Sequence, residues 1–511
     1  MNCIPRIAAI ALCCIAFGSA KILAESARPF PQHALYSHDS IYPSNYSQDE
    51  QDQHVRDFYD IWKQRYLVDA GTSPNGTPMY RVITAENSPL TFSEGQGYGM
   101  VIVALMAGHD PDSQQLFDGL WAFSRQHLSA IDNLLMSWKI DNGSSVDGND
   151  SAFDGDADIA YSLLLAEEQW GETSPVNYKA EASQVMEAIL LSTVGADSLL
   201  PKLGDWVSDN GGQYNQYSPR SSDFMPAHFH AFARATQDPT WNQVVLNSQA
   251  VIDSIQKNHS PNTGLLPDFI VDCDDIESCR PAGSGFLEGP YDGQYYYNAG
   301  RVPWRISLDA LLNDDPVSKA QALKMSRWLH ASTGGQIDNI KSGYTLDGEG
   351  IHHDFISSFF VAPFAVAAML DPEQQDFLND LYDYIYQQHE NYYSDSINLF
   401  SLLILSGNYW NPVADGPLPD DNPGEKEEDA FSVEIDVFSD WGSGYCATVA
   451  VENLSNRRAD WKVDLSIDGQ ISTIWNATYT QAGADVVAEG IDWNNFISAG
   501  EIRHFGFCAQ Q

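Results

Sequence analysis

Acidic side chains beside glycines and aromatic residues recur in three segments, at residues 93–100, 154–170 and 285–305. Two carboxyl groups facing a cavity can act as general acid and general base when one is protonated and the other ionised. In the first segment, SEGQGYGM, Glu94 lies on a glycine-rich turn just before an apolar helix. It could point into a cavity or, alternatively, cap the helix. The glycines are not a phosphate loop, because the G-x-G-x-x-G spacing fails and no strand precedes them.

The second segment, DGDADIAYSLLLAEEQW, has aspartates at the spacing of a calcium loop. Its sixth position is Ile159 instead of glycine and its twelfth is Leu165 instead of glutamate, which excludes an EF-hand. We expect Asp154 and Asp156 to face a cavity from a loop. We expect Asp158 to cap the helix that follows.

The third segment contains three consecutive tyrosines, Tyr295–Tyr297, followed by Asn298, Arg301 and Trp304. Broad aromatic faces beside polar groups form a suitable wall for a polar ring such as a sugar. The alternative is the aromatic rim of a core around a helix that begins at Pro303.

The sequence surrounding these segments, residues 51–412, is typical of a helical domain. Apolar residues recur at helical spacing in six blocks, namely Tyr98–Gly108, Asp158–Trp170, Pro226–Ala235, Pro303–Leu312, Ile356–Leu370 and Glu373–His389. Connections rich in Gly, Asn, Asp, Ser and Tyr separate the blocks, and no βαβ alternation is present. This pattern predicts an all-α domain with long functional loops.

The rest of the chain divides by composition into four parts. Residues 413–430 are rich in Pro, Gly, Asp and Glu, which indicates a linker. Residues 431–511 alternate in short apolar stretches, which is typical of a small all-β sandwich. At the N-terminus, residues 1–20 read as a secretory signal, in which Arg6 precedes a short apolar run that ends in small residues. Residues 21–50 read as an extended lead-in.

The net charge excludes several classes of partner. Lys and Arg total 26 against 70 Asp and Glu, which gives a formal charge of −44. A nucleic-acid partner is therefore excluded and an anionic membrane surface is disfavoured, since both require clustered basic side chains. No stretch after the signal is long and apolar enough to span a bilayer. We expect a secreted, extracellular monomer.

Four cysteines remain after the signal, and an oxidising compartment favours disulfides. Of the three possible pairings we favour Cys273–Cys279, which closes a small loop, and Cys446–Cys508, which brackets the last domain. No CxxC pair suggests zinc. The acidic residues at 272–277 could hold calcium, but a solvated acidic loop is the favoured interpretation. We expect neither a metal nor a cofactor.

The three acidic segments, in this order, resemble glycoside hydrolase family 8. The stretch AFDGDADIAYSLLLAEEQW is similar to that family's signature, with Phe153 where Ser or Thr is usual. The resemblance implies an (α/α)6 barrel and inverting hydrolysis of β-1,4-linked glycans such as cellulose, mixed-linkage glucan, xylan or chitosan. It also implies that Glu94 is the proton donor. Asp154 matches the carboxylate that contacts the sugar at the cleavage point.

The resemblance identifies the general base less directly. Many family members have Asp where this chain has Asn298, and an amide cannot accept the proton. Members with Asn there resemble a chitosanase and glucanase subgroup whose base is a Glu on an inserted loop upstream. Glu288 lies on such a loop and is our candidate, with Asp292 in reserve. The remaining predicted substrate-binding residues are Trp138, Asp156, Asp223, Tyr297, Asn298 and Arg301; for Trp138 a place in the core is the alternative.

The C-terminal domain resembles a family 2 carbohydrate-binding module. That resemblance implies a flat stacking strip for crystalline cellulose or chitin formed by Trp441, Trp475 and Trp493. Trp461 lies within an apolar alternation and is predicted to be core. About 80 residues seldom bury so many indoles, which argues against all four being core.

The sequence therefore predicts a secreted inverting endo-β-1,4-glucanase that is anchored to β-linked polysaccharide by its C-terminal module. A chitosanase with the same carboxylates is the first alternative, since a charge of −44 would attract a cationic polymer. A non-hydrolytic polysaccharide-binding protein is the second. The acidity is equally expected of a protein adapted to salt.

Overall fold

The computed structural model describes residues 26–171, 174–414, 418, 431–454, 459–491, 494–497 and 500–510. The predicted signal, Trp493 and most of the predicted linker lie outside these residues. Within them, a helical part and a C-terminal strand part each have an apolar core.

Twelve α-helices form the helical part of the described chain. In chain order they are α1 Gln48–Tyr66, α2 Ser93–Leu105, α3 Ser113–Gln126, α4 Phe153–Trp170, α5 Tyr178–Ala188, α6 Pro226–Thr236, α7 Thr240–Asn258, α8 Val302–Asn313, α9 Pro316–Thr333, α10 Ala362–Ala368, α11 Gln375–Ile385 and α12 Tyr392–Leu405. Short strands lie in their connections: β1 Leu67–Thr72, β2 Pro78–Val82, β3 Leu90–Phe92, β4 Lys139–Asp141, β5 Ser144–Ser145, β6 Ile270–Val271 and β7 Arg280–Pro281.

The helices form two concentric rings. Each even-numbered helix contacts the next even-numbered one, from α2 through α12, and α12 contacts α2, so the inner ring is closed. Each odd-numbered helix packs outside against an even-numbered neighbour. Inner helices such as α2, α4 and α12 are buried almost all round, whereas α11 buries one stripe. This arrangement is the predicted (α/α)6 barrel.

Each of the six predicted blocks contains a helix, but two inner helices begin earlier than periodicity indicates. Helix α2 begins at Ser93 instead of Tyr98, and α4 begins at Phe153 instead of Asp158. The prediction that Asp158 caps α4 is therefore wrong, because Asp158 lies inside the helix. The predicted block Ile356–Leu370 contains a 3₁₀ turn before α10, and Glu373–His389 ends early as α11.

Residues 26–47 form neither helix nor strand, but they pack across the end of the barrel where the inner helices finish. Their backbone N–H groups donate to carbonyls at the C-terminal ends of five inner helices: Ala27 to Gln169, Phe30 to Ala107, Ala34 to Gly407, Ser37 to Leu311 and Ile41 to Met369. Carbonyls at a helix C-terminus have no partner within the helix. The segment supplies partners and so closes this end.

The C-terminal part is all-β, as predicted. Its strands are β8 Phe431–Asp440, β9 Gly444–Asn453, β10 Ala459–Asp460, β11 Lys462–Ser466, β12 Gln470–Trp475, β13 Thr478–Ala482, β14 Asp485–Glu489, β15 Phe496–Ile497 and β16 Ile502–Gln510. They form antiparallel sheets in the orders β12-β16-β9-β8, β11-β14-β13 and β10-β15. Alternate residues of β9 and β11 are buried, which accounts for the period of two in the sequence.

Candidate active site

The candidate residues lie where the inner helices begin. Glu94 is on the first turn of α2 and Asp154 on the first turn of α4. Asp223 precedes α6, while Asn298 and Arg301 immediately precede α8. Helix first turns leave backbone N–H groups free and favour negative charge, so carboxylates are well placed there.

Arg301 joins these residues into one cluster. Its Nη1 donates to Oδ2 of Asp154 at 2.6 Å and to Oε2 of Glu94 at 2.9 Å. Its Nη2 donates to Oγ of Ser222 at 2.8 Å and to Oδ1 of Asn298 at 3.0 Å. The guanidinium is buried, so it holds both carboxyl groups with little screening by water.

Glu94 has the character of an acid. Burial raises its pKa to about 7; the guanidinium of Arg301 opposes that rise, and the charge of Asp154 adds to it. The Tyr392 hydroxyl donates to Oε1 of Glu94 at 3.3 Å. The group therefore remains largely protonated in mildly acidic solution, as a proton donor requires.

Asp154 has the opposite character although it shares the same guanidinium. Burial acts to raise its pKa, but Arg301 and Arg220 together hold that pKa below its ordinary value. Arg220 lies 3.5 Å from Oδ2 of Asp154. The two carboxyl groups are thus separated in pKa, one protonated and one ionised.

Glu288 lies on the loop before α8 with 49% of its side chain exposed. Nδ2 of Asn298 donates to its Oε2 at 2.8 Å, and Nη2 of Arg220 lies 3.5 Å from its Oε1. A hydrogen-bonded path therefore runs from Glu94 through Arg301 and Asn298 to Glu288.

Asp292, the reserve candidate for the base, does not fit that role. Its side chain is buried and accepts backbone N–H bonds from Leu287 at 2.7 Å, Glu288 at 3.1 Å and Gly289 at 2.8 Å. A carboxylate occupied by three donors shapes the loop instead of facing a water molecule.

The helical start of α4 separates the three aspartates of its motif. Asp156 is buried, and its Oδ1 accepts the Met136 N–H at 2.9 Å, so this oxygen is held by the protein backbone. Its contact with substrate stays a prediction. Asp158 is also buried, bonded by Arg305 at 2.6 and 3.0 Å and by His228 at 2.9 Å. Residues two apart on a helix point in opposite directions, whereas residues four apart share a face.

Asp223 is buried as well, and its contact with a glycan stays a prediction. Neither of its carboxylate oxygens has a hydrogen bond, and the nearest cation is Arg220 at 3.8 Å. Burial raises its pKa to about 7. Sequence reasoning missed Arg220. The available signal was a rare basic residue directly before the residues SSDF at 221–224.

Two predicted sugar-contacting aromatics are partly exposed. Trp138 stacks on Phe92 at 5.8 Å, and its backbone carbonyl accepts the N–H of Ser93 beside Glu94. Tyr297 stacks on Phe359 at 5.4 Å and belongs to the segment that carries Asn298. Both side chains are of intermediate burial, which leaves aromatic surface for a ligand.

The tryptophans of the C-terminal domain divide as predicted where the structure describes them. Trp441 is 52% exposed and Trp475 is 38% exposed. Trp461 is buried, and its indole N–H donates to the carbonyl of Asn494 at 2.6 Å. Trp493 lies outside the described residues.

Both predicted disulfides are present. Cys273 bonds to Cys279 in the small loop, and Cys446 bonds to Cys508 between the paired strands β9 and β16. Over the described chain, no group of three or more His, Cys, Asp or Glu side chains is placed to hold a metal ion. No described helix is long and apolar enough to cross a membrane.

Comparisons with known proteins agree on one family. Residues 42–407 match the model for glycosyl hydrolases family 8, and residues 431–511 match that for a cellulose binding domain. The chain is 40% identical to a beta-glucanase of Niallia circulans over 79% of this chain and 97% of that protein. It is 38% identical to an endoglucanase of Bacillus sp. (strain KSM-330), over 77% of this chain and 84% of that protein.

A solved structure is similar in both fold and sequence. The apo structure of beta-1,3-1,4-glucanase from Paenibacillus sp. X4 aligns with a TM-score of 0.72 at 39% identity. The alignment covers 75% of this chain and 99% of that one. The chain therefore belongs to glycosyl hydrolases family 8, as a glycoside hydrolase whose helical barrel is followed by a family 2 cellulose-binding module.

Proposed function

We propose that this protein is an exported, inverting endo-β-1,4-glucanase that hydrolyses cellulose or related β-glucans. The observation that carries the proposal is the pair of carboxyl groups on Arg301, with Glu94 raised and Asp154 lowered in pKa. The relatives named beta-glucanase, endoglucanase and beta-1,3-1,4-glucanase support β-glucan as the substrate class.

Glu94 is proposed as the general acid. As the glycosidic C–O bond breaks, the Glu94 carboxyl proton passes to the leaving oxygen, and the carboxylate that remains is stabilised by Arg301. Asp154 stays ionised beside it. Its charge keeps the pKa of Glu94 high and favours the positive charge that develops at the sugar ring.

Glu288 is proposed as the general base. Its partly exposed carboxylate accepts a proton from a water molecule, whose oxygen bonds to the anomeric carbon on the face opposite the leaving group. Inverting enzymes separate the two carboxyl groups by about 6.5–9.5 Å to leave room for this water. A separation through Arg301 and Asn298 fits that requirement better than direct contact would.

Trp138 and Tyr297 are proposed to stack against sugar rings on either side of the cleavage point. Arg301 is proposed to act by holding the carboxyl groups, because its guanidinium is buried and engaged by protein acceptors. The reaction as written requires neither a metal nor a cofactor.

The remaining parts are proposed to deliver the barrel to its substrate. Residues 1–20 would direct export, residues 21–50 lead into the barrel of residues 51–412, and residues 413–430 link it to the module of residues 431–511. In that module Trp441, Trp475 and Trp493 would stack on cellulose. Two disulfides are consistent with an oxidising compartment. We propose that the protein acts as a monomer.

The proposal is tested by reducing-end release measured side by side on carboxymethyl-cellulose, mixed-linkage glucan, xylan and chitosan. We expect the highest rates on the first two. Faster release from chitosan would favour the alternative chitosanase, which the acidic charge of the chain would assist. No release from any polymer, with cellulose pull-down retained, would indicate a non-hydrolytic binding protein.

The anchoring role is tested separately. A variant with Trp441→Ala and Trp475→Ala should lose most binding to crystalline cellulose while turning over soluble glucan at the wild-type rate. Unchanged pull-down by this variant would contradict the assigned strip.

A further inference from the structure

The loop that carries Glu288 is fixed by the protein before any ligand arrives. Asp292 accepts three successive backbone N–H groups, those of Leu287, Glu288 and Gly289. The backbone N–H of Gly285 also donates to the carbonyl of Gly289 at 2.8 Å. The backbone of Glu288 is therefore held in place although its side chain is half exposed.

The carboxylate of Glu288 is held from two sides, one oxygen by each side. The Asn298 amide donates to Oε2 at 2.8 Å, and the Arg220 guanidinium lies 3.5 Å from Oε1. Arg220 comes from the loop before α6 and Asn298 from the turn before α8. Two separate elements thus converge on one ionisable group.

The amide of Asn298 can present only its NH₂ group to Glu288. Its Oδ1 already accepts Nη2 of Arg301 at 3.0 Å, so the oxygen is turned toward that guanidinium. Oδ1 of Asp268 accepts the backbone N–H of Asn298 at 3.1 Å and that of Ala299 at 2.7 Å, which fixes the turn. A carboxylate at position 298 would offer Glu288 an acceptor where a donor is needed.

We propose that Asn298 and Arg220 are positioning residues that orient the Glu288 carboxylate for proton abstraction and, as hydrogen-bond donor and cation, stabilise its negative charge. This rests on the proposed function, in which Glu288 is the base. Asn298 couples the two halves of the site, since Arg301 on its other side holds Glu94 and Asp154. An amide is required at position 298 because Glu288 is the general base. A carboxylate at position 298 would compete with Glu288 for that role.

The charged groups around Glu288 come from several elements. Arg220 is the cation beside it, and Arg220 also faces Asp154 and Asp223. The carboxyl of Asp268 lies on the far side of the Asn298 amide, with Oδ2 at 3.4 Å from Nδ2. Asp292 lies beneath the loop backbone. Adding a carboxylate at position 298 would therefore place a further negative charge among these acidic groups.

The test compares Asn298→Asp and Asn298→Ala with a matched control, Asn177→Asp. Asn177 caps α5 by accepting the Ala180 N–H, a task that Asp performs equally well. We expect kcat on mixed-linkage glucan to fall about 10- to 100-fold in Asn298→Ala, and further in Asn298→Asp, with KM little changed. The acidic limb of the kcat profile should move to higher pH in both variants, because each removes the hydrogen-bond donor beside the base. The movement should be larger in Asn298→Asp, which also adds a negative charge there. The control should match wild type.

Wild-type kcat and pH profile in both Asn298 variants would overturn the proposal. A loss of kcat with an unmoved acidic limb would also overturn it, since that pattern indicates a purely structural role. Asn298→Ala, which introduces no charge, carries the test alone if Asn298→Asp does not fold.

Arg220 provides a second, independent arm. Arg220→Met should lower kcat and move the acidic limb of the kcat profile to higher pH. Arg220→Lys should show smaller changes in kcat and in that pH, because Lys restores the charge without the planar guanidinium. Equal behaviour of the two variants would contradict a role for that charge.

Glu288→Ala distinguishes the two levels of the account. Wild-type hydrolysis in Glu288→Ala would refute Glu288 as the base. An inactive Glu288→Ala beside unaffected Asn298 variants would leave that function standing and refute only the positioning role.

Discussion

The chemistry of the site depends on two carboxyl groups that share one guanidinium and yet differ in protonation. Arg301 donates to both Glu94 and Asp154 through the same nitrogen. The contact to Asp154 is the shorter one, and Arg220 adds a second positive charge 3.5 Å from Asp154. The positive charge is therefore largely used by Asp154, while burial leaves Glu94 able to hold its proton.

Glu94→Gln should lower kcat on soluble glucan about 100- to 10,000-fold, because the leaving oxygen then receives no proton. The loss should be much smaller on an oligosaccharide with a dinitrophenolate leaving group, which departs without protonation. Cellulose pull-down by the C-terminal module should be unchanged, and urea unfolding followed by tryptophan fluorescence serves as the control for folding of the barrel. Similar losses on both kinds of substrate would argue against Glu94 as the acid.

Asp154→Asn should move the basic limb of kcat/KM to lower pH. In wild type that limb reports loss of the Glu94 proton, with a pKa of about 7. Without the Asp154 charge, the Glu94 carboxylate is favoured and the pKa of Glu94 falls. Asp57→Asn, the same change at an exposed site on α1, is the control. A basic limb that stays in place, or moves upward, would show that Asp154 does not sustain the pKa of Glu94.

At the scale of single residues, the sequence was informative where a local motif pointed to a residue. It was uninformative where the contacting residues are distant in sequence. Glu94, Asp154 and Arg301 were predicted from local patterns, and the structure brings them together. Asp154 and Asp156 were expected to face one cavity from a loop, but they lie on α4, and a helix turns residues two apart by about 200°. Arg220 had no local signal for its three acidic neighbours, since they come from other elements.

At the scale of elements, the inner helices of the barrel also order the charges. Asp154 and Asp158 are one turn apart on α4, and Arg301 and Arg305 are likewise four residues apart at α8. Two ion pairs of matched spacing therefore join these helices, Asp154 with Arg301 and Asp158 with Arg305. Both pairs are buried, so together they fix the height of α4 relative to α8.

Apolar periodicity located six of the twelve described helices, namely α2, α4, α6, α8, α10 and α11, but it missed the first turns of α2 and α4. The first turns of α2 and α4 carry glycines and carboxylates, because they form the site, and such residues give no apolar signal. The predicted starts were consequently about five residues late in both helices. The role of residues 26–47 was equally invisible, since hydrogen bonds from an irregular segment to helix ends leave no pattern in sequence.

Phe30→Ala should destabilise the barrel by about 3 kcal/mol, because Phe30 is buried in the core at the closed end. Leu35→Ala lies five residues away in the same segment, is 95% exposed, and should have almost no effect. Urea unfolding followed by tryptophan fluorescence measures both. Equal stability of the two variants would show that the segment does not close the barrel.

At the scale of the whole molecule, the acidic residues behind the formal charge of −44 lie in the candidate active site, at buried positions and on the surface. Several buried carboxyl groups hold protons near neutrality. Burial raises the pKa of Asp223 and Asp268 to about 7 and that of Asp150 to about 6. Unfolded, each would titrate near about 3.9, so the folded state binds more protons in mildly acidic solution.

The free energy of unfolding should therefore gain a contribution from these groups below about pH 4 that is lost as the pH rises to about 7. Asp223→Asn should reduce this slope, because the variant lacks one of these titrating groups. The substitution costs no hydrogen bond, since neither carboxyl oxygen of Asp223 has one. Urea midpoints at pH 4.5, 6 and 7.5 measure the effect, with Asp57→Asn as the control. An unchanged slope in Asp223→Asn would mean that Asp223 is ionised in the folded protein.

Added NaCl should preserve or raise activity if the acidic surface is an adaptation to salt, whereas early inactivation by salt would refute that adaptation.

The most direct test of the account is the stereochemistry of the product. Proton NMR of a cello-oligosaccharide or mixed-linkage oligosaccharide during hydrolysis reports which anomer of the new reducing end forms first. Water activated by Glu288 opposite the proton donor Glu94 predicts that the α-anomer forms first and then mutarotates. Initial release of the β-anomer would contradict the assignment of these two carboxyl groups as acid and base of an inverting hydrolase.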